Sequence, residues 1–443
     1  MTLAVFMDFQ VEINRREGIT AYAGYLMNSL MENNQDLNLE VWVYSMNTEP
    51  FKREYADLME KYDGRITVFD EKTYPIKKFE IKHFIKYEIF KYFCYFLRFI
   101  HHERSEDIGY RASLHYALHQ QTGYDLTDSF NLYSNADLSY LPFPGLTCAL
   151  KTKKPVVIQI HDLFTFPLEK LFNEEAFPRA SFTKNNRYVK SILTKYAKKG
   201  AYFISSTAYT RDTQILKYIQ YSSLDRCRVI PFPPMIKMFN GKDIPSEKDF
   251  RKKYNLNYKY IAFPSQNRPN KNLILLLKAL KVLNKKGCNL KLVTTGSMRN
   301  CNSTADFVKK NKNIVVEIGS LPIEDVFGLY KYAELVVCPN IMEGLGISGQ
   351  CLEAISVGTP VIHAKSMGMQ ESLSNVGLDF KSAPLRWVEL DDYEGLVKEI
   401  KYVLANRENV AKKQEVVLES YLSVTWEDVA KNYMDLFKSI CNG

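Results

Sequence analysis

The chain has 443 residues, 46% of them hydrophobic and 25% charged, a balance that excludes a disordered or fibrous protein and gives two or three domains at roughly 100–200 residues each. With 20 glycines and 17 prolines it is not a low-complexity linker protein. Lysine and arginine (59) exceed aspartate and glutamate (50), and the net charge of +9 suits an anionic partner without choosing among nucleotide, membrane surface and nucleic acid.

The start, Met1-Thr-Leu-Ala-Val-Phe-Met-Asp, has neither the basic nor the sustained apolar region of a signal peptide, and residues 3–7 read as a first strand. No apolar run reaches the roughly 18 residues that a membrane span needs. The eight cysteines are scattered without a Cys-x-x-Cys pair, the pattern of reduced thiols in a cytoplasmic protein, and no zinc site is expected.

Residues 3–7 and 40–44 read as strands around a helix over 20–32. Between Ile81 and Ile100 apolar residues recur at helical spacing, with Lys78, Lys82 and Lys86 on another side. Two readings stay open: a core helix with a solvated lysine face, or a basic amphipathic helix touching anionic lipid. Strands over 156–160 and 202–205 follow, and the three prolines of 229–234 close the first half, placing a domain boundary near 240.

From 255 onward the pattern is regular. Short apolar runs at 260–264, 290–295, 314–318, 334–338 and 359–363 alternate with helical stretches at 272–285, 303–310, 323–332 and 349–357. Continuous apolar strands between amphipathic helices argue an α/β fold with a parallel sheet covered on both faces. Such a sheet binds its ligand at the carboxyl ends of the strands. A closing helix over 426–440 is expected to return to the first domain.

Four clusters could carry chemistry. Arg16-Glu-Gly18-Ile-Thr20 joins the first strand to the first helix, where glycine admits a ligand to backbone and a helix start favours negative charge. It is not a dinucleotide fingerprint, and a plain turn glycine is an equal alternative. His161-Asp162 emerges from the strand over 156–160, and a histidine there can donate to a sugar hydroxyl or titrate near neutrality. Pro264-Ser-Gln-Asn-Arg268-Pro-Asn-Lys271-Asn272 offers a guanidinium fork and an ammonium to one diphosphate. The richest cluster is Glu343-Gly344-Leu345-Gly346-Ile347, followed by Glu353 on a helix and by Gly358-Thr-Pro360. Its bare amides can hold phosphate or sugar oxygens, and its carboxylates can bind vicinal hydroxyls.

Together these clusters resemble the family 4 glycosyltransferases, retaining enzymes of the GT-B fold, over nearly the whole chain and most closely from 260 to 371. The match lies in the Glu-Gly-Leu-Gly loop, the second glutamate and the Gly-Thr-Pro-Val strand. The resemblance implies two Rossmann-like domains facing each other across a cleft: an acceptor-binding domain over 1–240, a nucleotide-sugar-binding domain over 241–424, and a closing helix over 425–443 packed on the first. It implies that Glu343 meets the donor sugar and Glu353 the nucleotide ribose. Arg268 and Lys271 would grip the diphosphate, with the amides of Gly344, Leu345, Gly346 and Ile347. His161 and Asp162 would lie near donor sugar and acceptor, and Gly18 in the first glycine loop. Glu371 matches the acid after the Gly-Thr-Pro strand, and Thr425-Trp426-Glu427 the entry to the closing helix. Nine residues separate Glu343 from Glu353, two more than the family usually leaves, and the surplus is expected to lengthen the loop over 347–350.

The implied function is transfer of a sugar from a nucleotide-diphosphate sugar, GDP-mannose or a UDP-sugar, to a glycan or lipid-linked acceptor in polysaccharide or glycoconjugate synthesis. No metal or other cofactor is expected. Acceptor contacts are sought in the first domain, around 130–135. The expected place is the cytoplasm, at the inner face of the membrane if the basic helix binds lipid, and no nucleic-acid partner is expected. A non-catalytic GT-B scaffold and a nucleotide-sugar epimerase remain the alternatives.

Overall fold

The computed structural model describes residues 1–7, 18–43, 45–70, 126–144, 149–175, 182–233 and 244–442. The basic stretch over 78–100, the loop ahead of Gly18 and the boundary near 240 lie outside the described residues. Two parallel sheets form the molecule. The first has seven strands: β1 (Thr2–Phe6), β2 (Asn38–Trp42), β3 (Ile66–Phe69), β4 (Leu138–Leu141), β5 (Val156–Ile160), β6 (Tyr202–Ser205) and β7 (Cys227–Val229), in the order β3-β2-β1-β4-β5-β6-β7. The second has six: β8 (Tyr260–Phe263), β9 (Lys291–Thr294), β10 (Val315–Glu317), β11 (Leu335–Cys338), β12 (Val361–Ala364) and β13 (Arg386–Val388), in the order β10-β9-β8-β11-β12-β13.

Every residue of β5, β8, β11 and β12 is buried, because helices cover both faces of each sheet. That is why these strands read as unbroken apolar runs. Chain order reverses between β1 and β4 in the first sheet and between β8 and β11 in the second, the crevices where open α/β sheets take ligands. Register matters too. Ile160 pairs with Ser205, which sets His161 beside Ser206 at the carboxyl edge.

The helix Trp426–Asn442 belongs to the first half, as expected. Val429, Ala430, Tyr433, Met434, Leu436 and Phe437 share a core with Leu3, Val5, Tyr22 and Leu26; their spacing makes one apolar stripe. Thr425 caps the helix, its Oγ1 accepting the Asp428 amide at 3.1 Å. At the centre the Tyr433 hydroxyl lies 2.5 Å from that of Tyr22 and donates to Oε1 of Gln159 at 2.5 Å, so three elements share one buried polar chain.

Two carboxylates cross between the halves in opposite directions. Glu371, from the second half, accepts the amides of Ala208 and Tyr209 at 2.5 and 2.6 Å. Glu175, from the first, accepts the amide of Ser303 at 3.0 Å, beside a 2.8 Å bond from Asn302 Nδ2 to the Glu174 carbonyl. Each satisfies amides at a helix start that its own half leaves open.

No helix among the described residues is long and apolar enough to cross a membrane. Phe437 is wholly buried, and Phe437→Ala should lower unfolding stability by about 3–5 kcal/mol, measured by urea denaturation. A loss below about 1 kcal/mol would show that the closing helix is not part of the first core.

Candidate active site

The loops after β8 and β11 flank the switch point of the second sheet. After β8, Pro269–Lys271 forms a single 3-10 turn that Asn272 ends at φ 50°, and this brings Lys271 back toward the sheet. Lys271 Nζ pairs with Glu343 Oε1, both side chains largely withdrawn from solvent. The two loops are also bound through backbone: the Ile341 amide donates to the Asn270 carbonyl at 2.8 Å, and Asn270 Nδ2 to the Met342 carbonyl at 3.3 Å. Arg268 is exposed and, among the described residues, bonded only locally, to Gln266 Oε1 at 3.0 Å, which leaves its guanidinium open to an anion.

The Glu-Gly-Leu-Gly loop turns on Gly346, at φ +79°, where a Cβ would lie 2.6 Å from Ser372 Cβ. The Gly346 amide closes a turn on the Glu343 carbonyl at 3.0 Å. The Ser348 amide donates to Nε2 of His363 at 3.1 Å. Among the described residues the amides of Gly344, Leu345 and Ile347 have no such partner and remain for an anion. Gly349 and Gln350 lie in the helix Gly349–Ser356, so half of the stretch 347–350, expected as a longer loop, is helical instead. The neighbouring Asn340 and Gln350 are buried, with both amide atoms unpartnered among the described residues, polar capacity unusual in a closed core.

Glu353, on that helix, accepts the Tyr330 hydroxyl at 2.7 Å. Burial raises its pKa, and Lys271 lowers it. The carboxylate is thus within electrostatic reach of the Lys271–Glu343 pair while held against Tyr330.

From the first sheet come His161 and Asp162. The expectation that His161 titrates near neutrality is corrected. Burial pulls its pKa down to about 4, with the Tyr22 ring edge-on at 4.7 Å and Phe232 at 6.0 Å. Its Nε2 lies 3.2 Å from the Pro142 carbonyl, which can only accept, so the ring proton sits there and Nδ1 is left as an acceptor. His161 can therefore receive a hydrogen bond from a substrate hydroxyl. Asp162 is pushed up to about 7, first by burial and then by Glu343, with Arg268 and Lys271 acting in the opposite direction.

Across the cleft the fit is tight. A Cβ on Gly344 would lie 2.3 Å from the His161 carbonyl and 3.2 Å from Asp162 Oδ2. Ser206 Oγ donates to the Gly344 carbonyl at 2.8 Å. The structure thus brings together His161, Asp162, Arg268, Lys271, Glu343 and the loop 344–347. Gly18 opens the helix Gly18–Asn33, with its loop outside the described residues. Phe130, in the segment expected to meet acceptor, packs in the core against Phe6 and Trp42 at 5.2 and 5.3 Å; that side chain is structural. Sequence reading missed Ser206, whose one signal was a Ser-Ser-Thr run leaving an apolar strand.

Residues 246–416 match the family described as glycosyl transferases group 1. Over 187 residues the chain is 27% identical to an uncharacterised glycosyltransferase of Methanocaldococcus jannaschii, covering 41% of this chain and 45% of that protein. Over 190 residues it is 26% identical to the lipopolysaccharide 1,2-N-acetylglucosaminetransferase of Salmonella typhimurium, covering 40% and 48%. The chain spans about half the length of the curated relatives it matches. In fold it is similar to sucrose-phosphate synthase from Thermosynechococcus elongatus, with TM-score 0.57 at 14% identity over 99% of this chain and 98% of that one. A Staphylococcus aureus TarM variant in complex with fondaparinux, alpha-GlcNAc-glycerol and UDP gives TM-score 0.58 at 12% identity over 98% and 99%. The architecture is GT-B.

The Asp162 shift makes stability pH-dependent in a defined sense. Its native pKa, about 7, lies above the ordinary 3.8, so between these values the native state binds more protons and this contribution is lost as pH rises. His161 and His363, both pulled down to about 4 from 6.5 by burial, act oppositely: their contribution is lost as pH falls from about 6.5. Asp162→Asn should remove the first effect alone. The stability of the variant relative to wild type should therefore rise from pH 5 to pH 8, by up to about 1.4 kcal/mol per pH unit. Denaturation at a series of pH values measures it, and a flat difference would contradict the raised pKa.

Proposed function

We propose that the chain is a retaining glycosyltransferase that moves a sugar from a nucleotide-diphosphate donor to a glycan or lipid-linked acceptor in polysaccharide or glycoconjugate synthesis. The observation that carries the reading is the Lys271–Glu343 pair at the switch point of the second sheet, facing Asp162 and His161 of the first. Arg268, Lys271 and the amides of Gly344, Leu345 and Ile347 surround the place a diphosphate would take. They would stabilise the charge that builds on it as the glycosidic bond breaks, a task that commonly supplies the largest catalytic gain.

Glu343 would bind donor-sugar hydroxyls and Glu353 the ribose. His161 Nδ1 would accept a sugar hydroxyl near the reacting centre. Attack from the face the diphosphate leaves, with a departing phosphate oxygen taking the acceptor proton, gives retention. Such a step needs no metal or further cofactor. Closure of two domains excludes water from the donor and limits hydrolysis. The names of relatives support the acceptor class: one matched protein is a capsular polysaccharide biosynthesis glycosyltransferase of Staphylococcus aureus, at 24% identity over 201 residues. The donor is GDP-mannose or a UDP-sugar, used on the cytoplasmic side, at the membrane where the acceptor is lipid-linked.

A thermal-shift screen of GDP, UDP, ADP and their sugar conjugates tests this. One nucleotide family should stabilise the wild-type protein, by about 2.7 kcal/mol at 100 times its Kd, and should shift Lys271→Ala much less. With that donor, Lys271→Ala should lose about 10²–10³ in kcat. A folded protein that answers to none of these ligands would favour a non-catalytic scaffold.

A further inference from the structure

Gln214 is wholly buried in a π turn, Arg211–Ile215, in the segment that follows β6. Such turns are rare and concentrate at functional sites, because the extra residue re-aims a side chain. Here the turned-in carboxamide faces both halves of the site. Its Oε1 accepts the amide of Leu163, the residue after Asp162, at 2.5 Å. Its Nε2 lies 3.3 Å from Sδ of Met342, the residue before Glu343. Met342 is itself wholly buried, and its carbonyl accepts from Asn270, next to Lys271.

We propose that Gln214 is a positioning residue that sets the spacing between Asp162 of the first half and Glu343 of the second. The inference rests on the glycosyltransferase reading. A carboxamide suits this place because it offers an acceptor and donors in one neutral group: the Leu163 amide needs an acceptor, and the Met342 sulfur accepts. Its neighbours secure the same segment by other means, Ser206 through the Gly344 carbonyl and the amides of Ala208 and Tyr209 through Glu371. Loss of Gln214 therefore leaves the halves joined while freeing the register. The donor grip through Arg268 and Lys271 lies in the second half alone, so the effect falls on kcat.

The test uses the full chain with Gln214→Leu, Gln214→Glu and Met342→Leu. With the donor found by thermal shift, Gln214→Leu should lower kcat on the order of 10–100-fold, the scale for a misplacement of about 1 Å. Donor KM and the Kd for the nucleoside diphosphate should stay within about twofold. Gln214→Glu, which keeps an acceptor for Leu163, and Met342→Leu should each lose less, and the Gln214→Leu/Met342→Leu double variant no more than Gln214→Leu alone.

A second readout needs no turnover. The Asp162 carboxyl, which faces Glu343, Arg268 and Lys271, is titrated by carbon-13 NMR and assigned with Asp162→Asn. Its midpoint should fall in Gln214→Leu, as burial and the nearness of Glu343 both relax. Wild-type kcat with an unmoved midpoint, whatever the change in melting temperature, would overturn the proposal. If the wild-type protein binds no nucleotide and transfers no sugar, the glycosyltransferase reading fails, and the titration still decides the role of Gln214.

Discussion

Where the two sheets meet there is room for a hydrogen atom and nothing larger. The backbone of Gly344 lies so close under the His161 carbonyl that a methyl group would stand 2.3 Å from it. Much of the interface follows from that contact. It lets the Glu-Gly-Leu-Gly loop of one half rest on the His-Asp corner of the other. It brings the Gly344 carbonyl to Ser206, and it places Asp162 within reach of Glu343, Arg268 and Lys271. Any side chain at 344 would separate the carboxyl edges of the sheets and let water between the charges.

So close together, the charges cannot be read one by one. Asp162 and Glu343 face Arg268 and Lys271, with Glu353 also in the field of Lys271. Burial beside Glu343 shifts the balance, because the rise of Asp162 to about 7 leaves it largely protonated in mildly acidic solution. A neutral Asp162 removes one negative charge beside Arg268 and Lys271, which favours an anionic ligand. The arriving negative charge in turn favours the neutral form of Asp162, so ligand binding and protonation reinforce each other.

Much of the second half was legible in the sequence because its strands are buried on both faces. Tyr-Ile-Ala-Phe, Leu-Val-Val-Cys and Val-Ile-His-Ala announce themselves as apolar runs between amphipathic helices. The strands that escaped notice are three or four residues long or broken by polar groups: Ile66–Phe69 with its exposed threonine, Leu138–Leu141 around a buried serine, Cys227–Val229 and Arg386–Val388. Their partners across the sheet define them, and no local pattern carries that information. At the site, the residues that bear charge were legible from motif and spacing. Ser206 and Gln214 were not, since their roles are set by contacts 138 and 128 residues away along the chain. His161 follows the end of β5, but its neutrality comes from burial beside Tyr22 and Phe232, which outweighs the opposing pull of the Pro142 carbonyl and which only the fold assembles.

The crossed carboxylates bear on how such a protein can be rebuilt. Glu371 completes a helix start in the first half and Glu175 one in the second, so neither half is finished by its own sequence. A hybrid that joins this first half to a relative's second half would inherit a compatible sheet yet leave exposed amides at residues 208–209 unless the newcomer brings a carboxylate to the same point. Exchange of halves within this architecture is thus constrained at two helix ends, and surface loops could diverge freely while that pair of acids could not.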